Sequence, residues 1–321
     1  MKLDTLKSFC SLHATPGDEG EVFNALIKCW QDQGLDTRRL GHYAVIAEPS
    51  ERKKADTVLL LAHADSPGFI VQSVTSPTEL DVLVLGGIHP THDAELILKT
   101  ASGKLPALLH APNEETHWSR TMPLKVTLSE PCDTVQKGDR LCWAFQWESS
   151  ENEVVSPFLD NRIGCALIAD WYSQCTSYFP NMNVVLAASA MEEVNGFGAN
   201  VLAAQVKADL VLVLDITYTD NKQGISLGKG PVVTLCDASV LLSPTMRDKI
   251  LAAPVPLQTE VYNYSGTDAR AFPAQGIPTP AIPVLIPTEG NHSPRESLHP
   301  ADLQAWPAAL EAVANALLTQ D

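Results

Sequence analysis

The stretch TVLLLAHAD, residues 57–65, decides the fold. Its five apolar positions, Val58 to Ala62, form an unbroken run behind Thr57. A strand with one wet face alternates apolar and polar residues, whereas an unbroken run marks a strand covered on both faces of a parallel sheet. The run ends in His63, Ala64 and Asp65, so two polar groups sit where the strand leaves the sheet. In open α/β sheets, ligands bind just outside those carboxyl ends. An imidazole there can hold a metal, and a carboxylate two residues on can accept its other N–H and fix the tautomer. Taken alone, the pair reads equally as a solvated strand end, and the rest of the chain decides.

Upstream, residues 3 to 13 read as a helix, broken at Thr15-Pro16-Gly17. A second helix follows, with Val22, Phe23, Leu26, Ile27 and Trp30 at helical spacing. His42 to Glu48 reads as a strand. Downstream the texture changes. From about Ser66 to Glu153 come short β-rich runs, FIVQSV, ELDVLVLGG, AELILKT, LPALLHA and LKVTL, separated by turns such as Ser102-Gly103 and Lys137-Gly138-Asp139. This predicts an all-β domain, a small barrel at 66–153, inserted into an α/β domain formed by 1–65 and 154–321. Its His89-Pro90-Thr91-His92-Asp93 reads as a polar loop, because proline at the second position disfavours a metal-binding helix.

The α/β pattern resumes at SPFLDNRIGCALIADWY, which places Asp160 and Asn161 at a helix start. NVVLAASA (183–190) and LVLVLD (210–215) are two further buried strands, the first leading to Met191-Glu192-Glu193 and the second ending in Asp215. Strands near Val232 and Val261, helices near Asp248 and Asp268, and PTPAIPVLIP complete the sheet. Asn291-His292-Ser293-Pro294 then sets another histidine after a buried strand, and a covering helix runs from about Ala301 to Leu318.

A sheet gains nothing from gathering His63, Asp65, Glu192, Glu193, Asp215 and His292 at strand ends with Asp160 beside them. Like charges repel and burial of each is costly. A divalent cation removes both penalties. Two imidazoles and three carboxylates suit a pair of zinc, cobalt or manganese ions. One carboxylate can bridge ions about 3.5–4 Å apart, and water between them becomes a nucleophile at neutral pH. Consecutive glutamates point different ways, so Glu193 can bind metal while Glu192 faces the water as general base.

On these residues the chain resembles metallopeptidase family 42, the tetrahedral aminopeptidases, which include glutamyl aminopeptidases and proteins once called endoglucanases. The resemblance rests on HATPGDEGEV, AHADSPGFIV, LDNRIG, MEEVNGFGA, VLDI, SGTDAR and NHSPRES, in that order around the β insertion. It implies an α/β/α mixed-sheet catalytic domain of the zinc-aminopeptidase type. It implies that His63 and Asp215 hold one ion, Glu193 and His292 the other, with Asp160 bridging. Asp65 then orients His63, Glu192 is the catalytic acid/base, and Asp268 lies near the active site. It also implies short peptide substrates and a homo-oligomer, in many members a twelve-subunit shell. Two departures stand out. Asn161 replaces the carboxylate usual after the bridging residue, and Thr288-Glu289-Gly290-Asn291 replaces an aromatic or basic stretch.

Composition bounds the alternatives. With 321 residues, 45% of them hydrophobic, the chain can bury a large core. A net charge of −16 argues against nucleic-acid binding. No apolar run approaches the roughly 18 residues that span a bilayer. The polar start, MKLDTLKSFCSLHATPG, has no signal-peptide core. Seven scattered cysteines read as reduced thiols of a cytoplasmic protein. The expected activity is removal of N-terminal residues from short peptides. The rival expectations are a metal-dependent deacylase on the same scaffold, suggested by the altered segment at Glu289, and a metal-binding relative without catalysis.

Overall fold

The computed structural model describes residues 2–112, 118–262 and 265–318. The chain opens with helices α1 (Leu3–Cys10) and α2 (Gly20–Asp32), then strands β1 (Asp36–Leu40), β2 (Ala44–Glu48) and β3 (Thr57–His63). Next come β4 (Gly68–Ser76), β5 (Glu79–Leu85), β6 (Ala94–Thr100), β7 (Gly103–His110), β8 (Leu124–Leu128) and β9 (Arg140–Trp143). Two short strands, β10 (Glu148–Ser149) and β11 (Val154–Ser156), lead into α3 (Leu159–Gln174). The remainder runs β12 (Asn183–Ser189), α4 (Phe197–Ala203), β13 (Leu210–Tyr218), β14 (Val232–Cys236), α5 (Pro244–Leu251) and β15 (Gln258–Val261). It closes with α6 (Ala271–Ala274), β16 (Ala281–Thr288), β17 (Glu296–Leu298) and α7 (Pro300–Leu318).

An eight-stranded mixed sheet in the order β1-β2-β12-β3-β13-β16-β14-β15 forms the centre. β3 lies between β12 and β13, parallel to both. All seven of its residues are buried, as its unbroken apolar run requires. Val58, Leu60 and Ala62 point into a core shared with Leu26 of α2, Ile163 and Leu167 of α3 and Leu310 of α7. Leu59 and Leu61 point the other way, toward Ala199 and Leu202 of α4 and Phe272 of α6. Helices therefore cover both faces. Full burial of a leucine such as Leu60 contributes about 2 kcal/mol. Trp30 and Trp306 bring large apolar surfaces to the helical layer, and each donates its indole N–H to a backbone carbonyl, of Ile168 and Val284.

The order β4-β5-β8-β7-β6-β9 closes into a six-stranded antiparallel barrel with a core of its own, including Phe69, Val82, Leu98 and Val126. Ionic contacts tie it to the N-terminal segment: Lys99 to Asp18 at 2.8 Å and Lys104 to Glu21 at 2.7 Å. His89, His92 and Asp93 lie in an exposed loop, as expected.

The sequence expectations need local correction. The first helix stops at Cys10, and β1 was not foreseen, because its DTRRL is a polar, half-exposed edge strand. β13 runs three residues past Asp215, to Tyr218, because β16 continues beside it. Asp160 does not begin a regular helical turn. Its backbone, at φ −80° and ψ 106°, and that of Asn161 are non-helical, and Phe158 before them is left-handed at φ 70°. All seven cysteines are free.

Candidate metal centre

Register brings the first donors together. β12 pairs with β3 so that Ser189 faces His63, and β13 pairs with β3 up to Val213 opposite Leu61. Two residues on, Asp215 comes level with His63. Its carboxylate Oδ1 lies 3.5 Å from His63 Nε2. The irregular turn at the head of α3 adds Asp160, whose Oδ1 is 3.1 Å from His63 Nε2 and whose Oδ2 is 3.1 Å from His292 Nε2. Glu193 Oε2 is 3.6 Å from His292 Nε2. Two donor groups result, His63–Asp160–Asp215 and Asp160–Glu193–His292, each with its atoms within 4.8 Å of one another, and Asp160 belongs to both. The five residues expected as donors are thus brought together in two groups that share Asp160.

The loops explain how. Asp65 does hold His63, but through its carbonyl: His63 Nδ1 is 3.0 Å from Asp65 O and 3.6 Å from the carboxylate. The Asp65 carboxylate instead accepts the backbone N–H groups of Glu192 and Glu193, each at 3.1 Å. One residue therefore ties the end of β3 to the turn after β12. Asn161 is a carboxamide because it needs both functions. Its Nδ2 donates to Leu214 O at 2.6 Å and its Oδ1 accepts the Gly164 N–H at 3.0 Å. A carboxylate could not donate. Gly164 is required in turn, since a Cβ there would press against Asn161 and Ala62. Arg162, fully buried, donates to Ala64 O, Ser66 Oγ and Ala14 O, and Ser66 Oγ donates to Asp160 O.

The electrostatics are those of a site short of positive charge. Burial raises Glu193 to about 8, with Asp160 adding to the rise and His292 opposing it. Burial also raises Asp215, and it takes Glu192 well above the usual range. Burial alone would lower His292, yet the Glu193 and Asp160 carboxylates lift it to about 10. His63 rises likewise against its burial, chiefly because Asp215 and Asp160 surround it. Asp160 moves the other way, below the usual carboxylate range despite burial, because two imidazoles face it. Asp160 Oδ1 and Glu193 Oε1 are buried without a hydrogen-bond partner, the 3.1 Å approach of His63 to the former being out of line. Such orphaned oxygens, beside two imidazoles and a third carboxylate, fit a divalent cation pair.

A cleft of about 560 Å³ opens over these groups. Glu192 and Glu193 both line it, and Glu192 Oε1 is 2.8 Å from Arg270 Nη2. The barrel lends Gly87 and Arg120 to the rim. A side chain at Gly87 would collide with the His292 ring, which is why glycine stands there. Asp268 does not line the cleft; it is buried behind it and accepts a hydrogen bond from Ser189. Neither do Thr288 to Asn291. Glu289 accepts from Thr219, and Asn291 from Thr288. Sequence reasoning missed Arg270, Arg162 and two buried carboxylates, Glu19 and Glu296. Each carboxylate accepts two backbone N–H groups: Gly17 and Met191 for Glu19, Asp160 and His292 for Glu296. Glu296 lies four residues after His292 in a segment already singled out. Nothing in the pattern around Glu19 announces its partners.

The family model described as M42 glutamyl aminopeptidase matches residues 44–307. The chain is 24% identical over 310 residues to the glutamyl aminopeptidase of Lactococcus lactis, covering 88% of this chain and 87% of that one. It is 25% identical over 262 residues to the lysyl aminopeptidase of Pyrococcus furiosus, covering 72% and 74%. Among solved structures it resembles the PhTET1-12s dodecamer, with a TM-score of 0.85 at 22% identity over 98% of this chain and 99% of that one. It also resembles the Pyrococcus horikoshii TET1 peptidase, with a TM-score of 0.84 at 22% identity, covering 97% and 98%.

Proposed function

The chain belongs to the M42 glutamyl aminopeptidase family, whose members hydrolyse peptide bonds, and on that premise we propose that it removes N-terminal residues from short peptides with two divalent cations and Glu192 as general base. The observation that carries the proposal is Asp160. Each of its oxygens lies 3.1 Å from a different imidazole, and each imidazole has a further carboxylate beside it. In this reading His63 and Asp215 serve one cation, Glu193 and His292 the other, and Asp160 both. Zinc suits the donor set, and cobalt or manganese can replace it. When bound, such ions polarise a carbonyl and make water acidic near neutral pH.

The chain's own groups supply the rest. Glu192 lines the cleft and in this reading takes the proton of the attacking water and returns it to the leaving amine. The Arg270 guanidinium holds that carboxylate at Oε1. Asp65 fixes the two glutamates relative to His63 through their amides. The altered segment at Thr288–Asn291 lies outside the cleft lining, so it gives no support to a deacylase reading.

Glu192→Gln should lower kcat on aminoacyl-nitroanilides by about 10²–10⁴-fold in the zinc- or cobalt-loaded protein. Metal content should stay unchanged. Unaltered turnover would falsify the role of Glu192.

The proposal includes the division into a catalytic part, 1–65 and 154–321, and an inserted part, 66–153. It also includes a cytoplasmic setting, and no described helix is long and apolar enough to cross a membrane. Because one structural neighbour is described as a dodecamer, we extend the proposal to a closed homo-oligomer. Light scattering on the purified protein should give a mass of many subunits, and a monomeric mass removes this part.

A further inference from the structure

We infer that Glu296 is a positioning residue of the centre, a clamp that lets Asp160 and His292 serve a common cation. The inference rests on the two-cation reading above. Glu296 opens β17, which pairs with β11 so that Glu296 faces Ser156. Its side chain is buried at the junction of the sheet with the head of α3, the residue being 2% exposed. Oε2 accepts the N–H of Asp160 at 3.0 Å, and Oε1 accepts the N–H of His292 at 2.8 Å.

Those two amides belong to segments that no ladder or helix holds in place. Asp160 has non-helical backbone inside the first turn of α3. His292 stands at φ 63°, a left-handed conformation uncommon for residues with a Cβ. A donor carried on irregular backbone keeps its position only if something else fixes that backbone. Here one carboxylate fixes both, and the two residues it fixes are the ones whose side chains approach to 3.1 Å. Outer partners of this kind commonly change metal affinity by about 10–100-fold.

A glutamine at 296 keeps one accepting oxygen and turns an NH₂ toward the other N–H, so one strap of the clamp is lost. Asp302 provides a control of the same design. It is fully buried and accepts the N–H groups of Gly228 and Gly230, each at 2.7 Å, in a turn that carries none of the five donors.

The experiment titrates the metal-stripped full chain with Co²⁺, following visible absorption and bound cobalt by elemental analysis. Wild type should take up two ions. Glu296→Gln should bind the ion shared by Asp160 and His292 at least about tenfold more weakly, with a smaller loss at the other ion, which Asp160 also serves. Asp302→Asn should lower the unfolding midpoint yet keep both ions. Two ions at wild-type affinity in Glu296→Gln overturn the clamp, as does the same selective loss in Asp302→Asn, which makes the effect one of general destabilisation. Wild type binding fewer than two ions instead removes the two-cation reading, and the clamp with it. Should Glu296→Gln not fold, Glu296→Asp replaces it, since the shortened side chain reaches only one amide. The same selective weakening is then expected, and two wild-type affinities refute the clamp.

Discussion

In the barrel, Leu80, Val82, Leu96, Leu98 and Val126 point inward while Glu79, Lys125 and Glu95 on the same strands face water. At the carboxyl end of the sheet the order is reversed. His63, Asp65, Asp160, Ser189, Asp268 and Glu296 are buried, and the backbone between them leaves regular geometry at Phe158, Asp160, Met191 and His292. The first arrangement is held by area removed from water, which is insensitive to direction. The second is held by directed hydrogen bonds from backbone amides to carboxylates, at Asp65, Glu19 and Glu296, and it accumulates charge that burial penalises. A protein stores stability in regions of the first kind and chemistry in regions of the second. Substitutions should therefore separate the two regions in kind as well as in size.

The largest effect belongs to Arg162. It is a fully buried cation with no carboxylate in hydrogen-bond contact among the described residues, donating to Ala64, Ser66 and Ala14 and lying 5.6 Å from the Phe158 ring centroid. Arg162→Met keeps the bulk and removes three charge-assisted bonds, taking from the buried Ala64 carbonyl its Arg162 donor while the Ala14 carbonyl keeps the Ser66 N–H. The expected loss is about 3–5 kcal/mol in urea unfolding, a large share of the total stability of a domain. Because Ser66 also reaches Asp160, the centre should loosen with it and activity should fall in the molecules that remain folded. A loss below 1 kcal/mol with full activity breaks the contrast, since the polar end would then be no more directional than the barrel.

The same contrast explains what was legible. β3, β12, β13 and β16 announce themselves because each is apolar on both faces, a property of the residues alone. The barrel runs are legible by a different mark, short alternating or β-rich segments separated by turn signals. β10, β11 and β17 were not, being two or three residues long and existing only because Val154–Ser156 pairs with Glu296–Leu298 across the chain. The five residues brought together at the centre, His63, Asp160, Glu193, Asp215 and His292, were legible as His and carboxylate at or after strand ends and at a helix start, where burial of each is costly. Glu296 and Glu19 were not, because their partners are backbone amides, which every residue has and no pattern marks. Arg270 pairs with Glu192 across 78 residues, a distance over which single-sequence reading has no purchase. The Asp65 carboxylate lies 3.6 Å from His63 Nδ1 and also accepts the Glu192 and Glu193 amides, partners that no sequence pattern marks.

The smallest effect is expected in the barrel, and it sharpens the comparison most. Val82 is fully buried on β5, opposite Leu124 of β8. Val82→Ala removes two methyl-sized groups, at about 0.8 kcal/mol each, and leaves a small cavity that the surrounding strands can partly close. The predicted cost is about 2 kcal/mol in urea unfolding. Among the described residues the barrel touches the cleft only through Gly87 and Arg120, both in connections between strands rather than in its core, so kcat on an aminoacyl-nitroanilide should stay within about twofold of wild type. A larger fall in kcat at unchanged metal content would mean that barrel packing reaches His292 through Gly87. The inserted domain would then be part of the catalytic apparatus rather than its support, and the two regions could no longer be treated as separable.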